Sequence, residues 1–170
     1  MNRTQTDEPI SKRLGFYTYR MLLLQGYSQH DVDHNPNLSL LARWTPFACG
    51  CFGALGLGLR SPAYLWALGT LTLIGSVSPR SFYDYLYQAF LKPLTGLGDV
   101  PRHGAPRRFG CAIGATLFIL SGTGFYLGQP MLALIPGLII VPLAFIAAFT
   151  QWCFASTLYR LLFGKGADCC

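Results

Sequence analysis

Four long apolar runs, each bounded by charge or proline, constrain this chain more than any other feature. They extend over roughly 38–59, 62–78, 109–128 and 131–159, and about 20 apolar residues in helical form cross the hydrocarbon core of a bilayer. In that medium each backbone amide and carbonyl must be satisfied within its own segment, so such runs become helices. Arg60-Ser61-Pro62 and Gly128-Gln129-Pro130 divide the runs into two pairs. Each puts a proline at the start of a helix, where the missing amide has no helical partner anyway. The expected fold is all-α: an integral membrane four-helix bundle made of two transmembrane helical hairpins, with an N-terminal amphipathic helix and a short interfacial loop helix.

On this reading residues 1–37 are a cytoplasmic segment, 38–159 the membrane domain, 79–108 its cytoplasmic loop and 160–170 a cytoplasmic tail. Four crossings put both termini and the loop on one side. Of the 13 Lys and Arg, all but Arg60 fall in or beside those three segments, and the positive-inside rule makes that side the cytoplasm. Arg43 enters the first run, where its guanidinium can reach the headgroups while Trp44 joins the interfacial aromatic belt. Only 12% of residues are charged, against about 25% in soluble domains. The net charge of +6 sits at the margins of the apolar runs, which suits anionic lipid headgroups and gives no basic domain for nucleic acid. Met21 to Leu24 is too short an apolar run for a secretory signal.

The cytoplasmic parts are also expected at the membrane. Ile10, Leu14, Tyr17, Met21 and Leu24 recur at helical spacing after Pro9 and before Gly26, which predicts an amphipathic helix lying on the surface or against a partner. In the loop, Ser81 and Asp84 form a capping-box pattern for a short helix ending before Pro93. Phe82, Tyr83, Tyr85, Tyr87 and Phe90 make it an interfacial segment. Between the long helices, close approach through small residues is expected at Gly50, Ala54 and Gly58, at Gly110 and Gly114, and at Ala133, Gly137, Ala144 and Ala148. Pro136 and Pro142 should kink the fourth run.

No Asp, Glu, Lys, Arg or His occurs within 44–59, 62–78, 109–128 or 131–159, so the bundle reads as chemically quiet, without a buried proton relay. All three histidines lie outside the runs, and no cofactor is expected. His30, Asp31, Asp33 and His34 resemble a metal-ligand cluster, but Pro36 stands where a calcium loop needs glycine and no glutamate closes it. The bland reading is a polar stretch ending in an Asn37 helix cap. Cys49, Cys51, Cys111 and Cys153 all fall in the cytoplasmic half of the proposed bundle. Cysteine packs well as a small apolar residue, and the same four form a candidate thiol cluster. Cys169 and Cys170 are either a lipid-accepting pair or a plain tail.

Three places resemble a known family: Asp33-His34-Asn35 before the first run, Pro106-Arg107-Arg108-Phe109 opening the third, and Cys153 through Tyr159 closing the fourth. Over about 33–159 the chain looks like the bacterial membrane proteins grouped as domain of unknown function 4395. That resemblance implies a multi-pass protein of the bacterial inner membrane and draws attention to Asp33, Asn35, Pro106, Arg108, Phe109 and Tyr159. The family's last span tends to end in Cys-x-x-Cys before a tyrosine, which would imply a redox dithiol. Here Ser156 holds the second position, so Cys153 would need Cys111 or Cys49 as its partner.

The first functional expectation is a non-enzymatic accessory or scaffolding subunit, in contact with lipid and with other membrane subunits. A thiol-linked protein of membrane redox or sulfur metabolism is the second. A small-solute channel or transporter is the third.

Overall fold

A computed structural model describes residues 15–35, 37–78, 80–96, 98 and 104–164. The described residues are helical and turn segments, without a strand. Helices α1 (Phe16–Leu24) and α2 (Gln29–His34) precede the long α3 (Leu38–Leu59) and α4 (Pro62–Val77). Next, α5 (Phe82–Leu86) continues through a π-helical turn (Tyr87–Leu91) into α6 (Lys92–Thr95). The chain closes with α7 (Ala105–Tyr126), α8 (Pro130–Thr150) and α9 (Phe154–Phe163). Helices α3, α7 and α8 are long and apolar enough to cross a membrane, while α4 is a shorter apolar helix.

The turns form as their residues dictate. Arg60 ends α3 in the left-handed conformation (φ 48°), and Ser61 caps α4 by accepting the Tyr64 amide, with Pro62 in the first turn. Although joined this tightly, α3 and α4 barely touch; α3 lies along α8, α4 along α7, and α7 against α8. The expected pair of self-packed hairpins therefore holds only for α7 and α8. Glycine placement explains the exchange. A Cβ on Gly50 would press on the Phe145 ring of α8, and one on Gly69 would come within 3.1 Å of the Ala115 carbonyl of α7. On α3 the buried glycines are Gly50, Gly53 and Gly56, whereas Ala54 is exposed and Gly58 faces open space. The stripe thus advances by three residues rather than four. On α8, Ala133, Gly137, Ala144 and Ala148 are all buried; on α7, Gly114 is buried and Gly110 lies beside Ala155 of α9.

Three other expectations differ from the structure. The run 131–159 is two helices: Gln151 turns left-handed (φ 59°) and α9 restarts at Phe154. Thr150 closes α8 by donating to the Ile146 carbonyl (2.7 Å) and accepting the Trp152 amide (3.1 Å). The loop helix α5 is more than a surface segment: it turns Tyr83 and Asp84 into the fold, buried against α3 and α4, while Tyr85 stays exposed. Its capping box is formed: Asp84 Oδ2 accepts from the Ser81 amide (2.8 Å) and from Ser81 Oγ (2.7 Å). Thr45 Oγ1 of α3 donates to Asp84 Oδ1 (2.7 Å), and Trp44 Nε1 donates to the Tyr83 carbonyl (2.9 Å). Finally, the N-terminal helix buries Leu22, with Tyr19 and Leu23 packed beside it, where the pattern pointed to Tyr17, Met21 and Leu24. Leu22, Tyr27 and Val32 join Leu38 and Ala42 in one core, so this segment caps the bundle. Ile10 and Leu14 of the proposed stripe lie outside the described residues.

Gln151 ties these parts together. It is buried, its side-chain Nε2 donates to the Ser39 carbonyl of α3 (2.9 Å), and its carbonyl accepts from Gln25 Nε2 (2.6 Å). Replacing Gln151 with leucine strands the Ser39 carbonyl and should cost about 1–3 kcal/mol. Unfolding followed in detergent should show an earlier midpoint for Q151L and an unchanged one for Q129L, since Gln129 is exposed at the other α-helical turn.

Candidate functional site

Where α9 leaves α8, a cavity of about 210 Å³ opens among α3, α7, α8 and α9. Its walls are mostly apolar, including Ile113, Leu117, Ile140 and Leu143. Cys49, Cys111 and Cys153 also line it, together with Arg107, Ser156 and Tyr83. Among the four candidate thiols, Cys51 is apart, exposed on the outer face of α3. Cys49 packs against the core cluster that contains Tyr83, whose hydroxyl pairs with Thr72 Oγ1 (3.2 Å). Burial, reinforced by Cys49, pushes the Tyr83 phenol above its ordinary range, so it stays a neutral donor or acceptor.

Arg107 belonged to the charged margin in the sequence, yet it lies in the first turn of α7 and is buried. Pro106, also buried, opens that turn. The local pattern explains why the guanidinium points inward. Pro46, inside α3, has no amide to offer the carbonyl one turn earlier, that of Ala42. Arg107 Nη2 donates to that freed carbonyl (3.3 Å), and its guanidinium carbon stands 5.3 Å from the centre of the Tyr27 ring. Nη1 has no hydrogen-bond partner. Cys111 follows one turn later on the same face of α7. Asp84 and Arg107 therefore bring two charged side chains in among helical runs that, past Arg43, contain no Asp, Glu, Lys, Arg or His, both supplied by the segment between the second and third runs. Nothing in the sequence marked the inward turn of Arg107, or Gln25 and Gln151; Ser156 stood out only as the residue in place of the family's second cysteine.

Cys153 is the N-cap residue of α9, and no side chain caps that helix. Ser156, in its first turn, is buried with Oγ unpartnered. The remaining motif residues divide into two groups. Phe109 packs against Tyr159 (5.6 Å between ring centres) and Phe163, joining α7 to α9. Asp33 lies in α2, and Asn35 ends that helix with its carbonyl accepting the Leu38 amide. Arg108 is half-buried, its Nε without a partner. His30 and His34 stack at 4.1 Å, but among the described residues no group of three or more His, Cys, Asp or Glu gathers as a metal site would. Cys169 and Cys170 are outside the described residues.

Comparison with known families gives a match to the model described as domain of unknown function (DUF4395), over residues 39–163. The chain belongs to this family. The matched region takes in the cavity-lining cysteines, Arg107, and the Phe109–Tyr159 pair, and it ends with α9. Asp33 and Asn35 precede it. No curated protein and no solved structure matches the chain.

Proposed function

We propose that this chain is a four-span protein of the bacterial inner membrane, both ends cytoplasmic, whose cavity performs thiol–disulfide exchange. The crossing helices are α3, α4, α7 and α8; α4, with 16 residues, reaches about 24 Å and must stand nearly upright. Basic residues at the margins orient the bundle so that the cavity opens in its cytoplasmic half.

One observation carries the reading. Cys49, Cys111 and Cys153 come from three distant stretches of sequence and meet one apolar space, while nearby Cys51 faces outward. Cysteines used only as small packing residues have no reason to converge. In the exchange, the thiolate of Cys153 attacks one sulfur of a substrate disulfide and the other sulfur leaves as a thiolate. The thiolate of Cys111 or Cys49 then attacks Cys153 Sγ, closing an internal disulfide and releasing the second substrate thiol. Two electrons and two protons pass from the protein to the substrate. A scaffolding role draws instead on exposed apolar side chains such as Ile135 and Leu138 of α8, which lipid covers equally well.

Alkylation of the purified protein before and after mild diamide oxidation tests this. Protection of Cys153 together with Cys111 or Cys49, a mass lower by two hydrogens, and full reversal by reductant are expected. If all three thiols alkylate equally before and after oxidation, the exchange reading is wrong.

A further inference from the structure

We propose that the cavity binds an oxyanion carried on an apolar chain, its head held between Arg107, Ser156 and the amino-terminal end of α9. This rests on the cavity being the working site of the protein and names the class of molecule that enters it.

The charge on Arg107 is the first reason. The residue is only 8% exposed, and the carbonyl of Ala42 and ring of Tyr27 that it touches carry no net charge. A buried guanidinium with an idle N–H is costly unless an anion joins it. Nη1 is that idle group, and Arg107 lines the cavity. Ser156 is the second reason: it is 2% exposed, lines the same space, and its hydroxyl has no partner. Third, the first turn of α9 (Phe154, Ala155 and Ser156) faces the cavity, and the helix has 10 residues and no side-chain cap. The first amides of a helix lack intrahelical acceptors, and with the helix dipole they favour negative charge. A guanidinium, a hydroxyl and a helix terminus lining one cavity suit a carboxylate or phosphate oxygen.

The rest of the cavity suits a hydrocarbon. Ile113, Leu117, Ile140 and Leu143 offer no hydrogen bonds, so a fully hydrated inorganic ion would leave this wall unused. At about 210 Å³ the space is below the roughly 300 Å³ at which pockets for whole drug-sized molecules begin. It therefore takes a head and the start of a chain. A free alkanoate and an acidic phospholipid both present that chemistry.

The full-length protein in phosphatidylcholine nanodiscs provides the test, with the alkylation rate of Cys153 as readout. Added decanoate should slow the reaction, and decanol, equal in chain but uncharged, should not. In R107Q the decanoate concentration giving half protection should rise at least about tenfold, as loss of a charge-assisted hydrogen bond implies. S156A should shift it in the same direction by less. Nanodiscs containing phosphatidylglycerol separate the sources: protection without decanoate identifies the lipid head as occupant, and protection only with decanoate identifies the free acid. Equal protection by decanol and decanoate, or none from decanoate and phosphatidylglycerol alike, would overturn the proposal without requiring any variant to fold. Disulfide formation by diamide is scored separately. Exchange without anion protection removes this inference alone, and anion protection without exchange removes only the redox reading.

Discussion

Gly124→Val should leave little folded protein. Gly124 sits where α7 crosses α8, and a Cβ there would fall on the backbone of Leu132 and Ala133. Backbone cannot swing aside as a flexible side chain does, so the helices would have to part. The same crossing holds Ser121, buried, whose hydroxyl donates to the Ala133 carbonyl in the turn loosened by Pro136. Parting the helices breaks that bond and opens the wall around Phe118, which is fully buried between α7 and its neighbours. We expect a loss on the order of 3 kcal/mol or more. It should be visible as loss of the monodisperse peak after gentle extraction. Gly58→Ala provides the contrast, because nothing lies within 4 Å of its Cβ position. Removing a helical glycine there should leave stability unchanged or raise it by about 0.5–1 kcal/mol.

The second large effect is expected from Asp84→Leu. Asp84 is fully buried and accepts hydrogen bonds from the Ser81 amide, Ser81 Oγ and Thr45 Oγ1. Leucine removes the acceptor and leaves buried donors behind, at a cost of about 3 kcal/mol. Because the carboxylate also pins α5 to α3, the damage should reach the cavity. Tyr83 comes from α5 and lines the cavity alongside Cys49. D84L should therefore lower the unfolding midpoint and also speed alkylation of Cys49, whereas a change confined to the loop would leave Cys49 as slow as before.

Hydropathy made the long helices legible because the cost of unsatisfied backbone in oil is large and local in sequence. Pro62 and Pro130 marked helix starts for an equally local reason, as did the Ser81–Asp84 box. What stayed hidden depends on the third dimension. The break at Gln151–Cys153 contains neither glycine nor proline, so an apolar run passed straight through it. Small residues on α3 were visible, but whether Gly58 or Gly53 faces a neighbour is set by which helix lies alongside. That partner is α8 rather than the adjoining α4. Of the site, the cysteines were visible as a set, while their convergence and the exclusion of Cys51 were not. Arg107 looked like one more basic residue of the flank. Its inward turn depends on a carbonyl that Pro46 frees 65 positions away in sequence, a link no periodicity reveals.

The account stands on a single cavity in which α7 and the start of α9 bring Cys111 and Cys153 together, and a short bismaleimide reads that geometry directly. In native membranes carrying the C49S, C51S, C169S and C170S variant, the reagent should join the two remaining thiols within one chain. The product should be recovered as one cross-linked peptide pair from monomeric protein. Single-end modification of both cysteines, with no bridged pair at any reagent concentration, would contradict the cavity and the functional reading built on it.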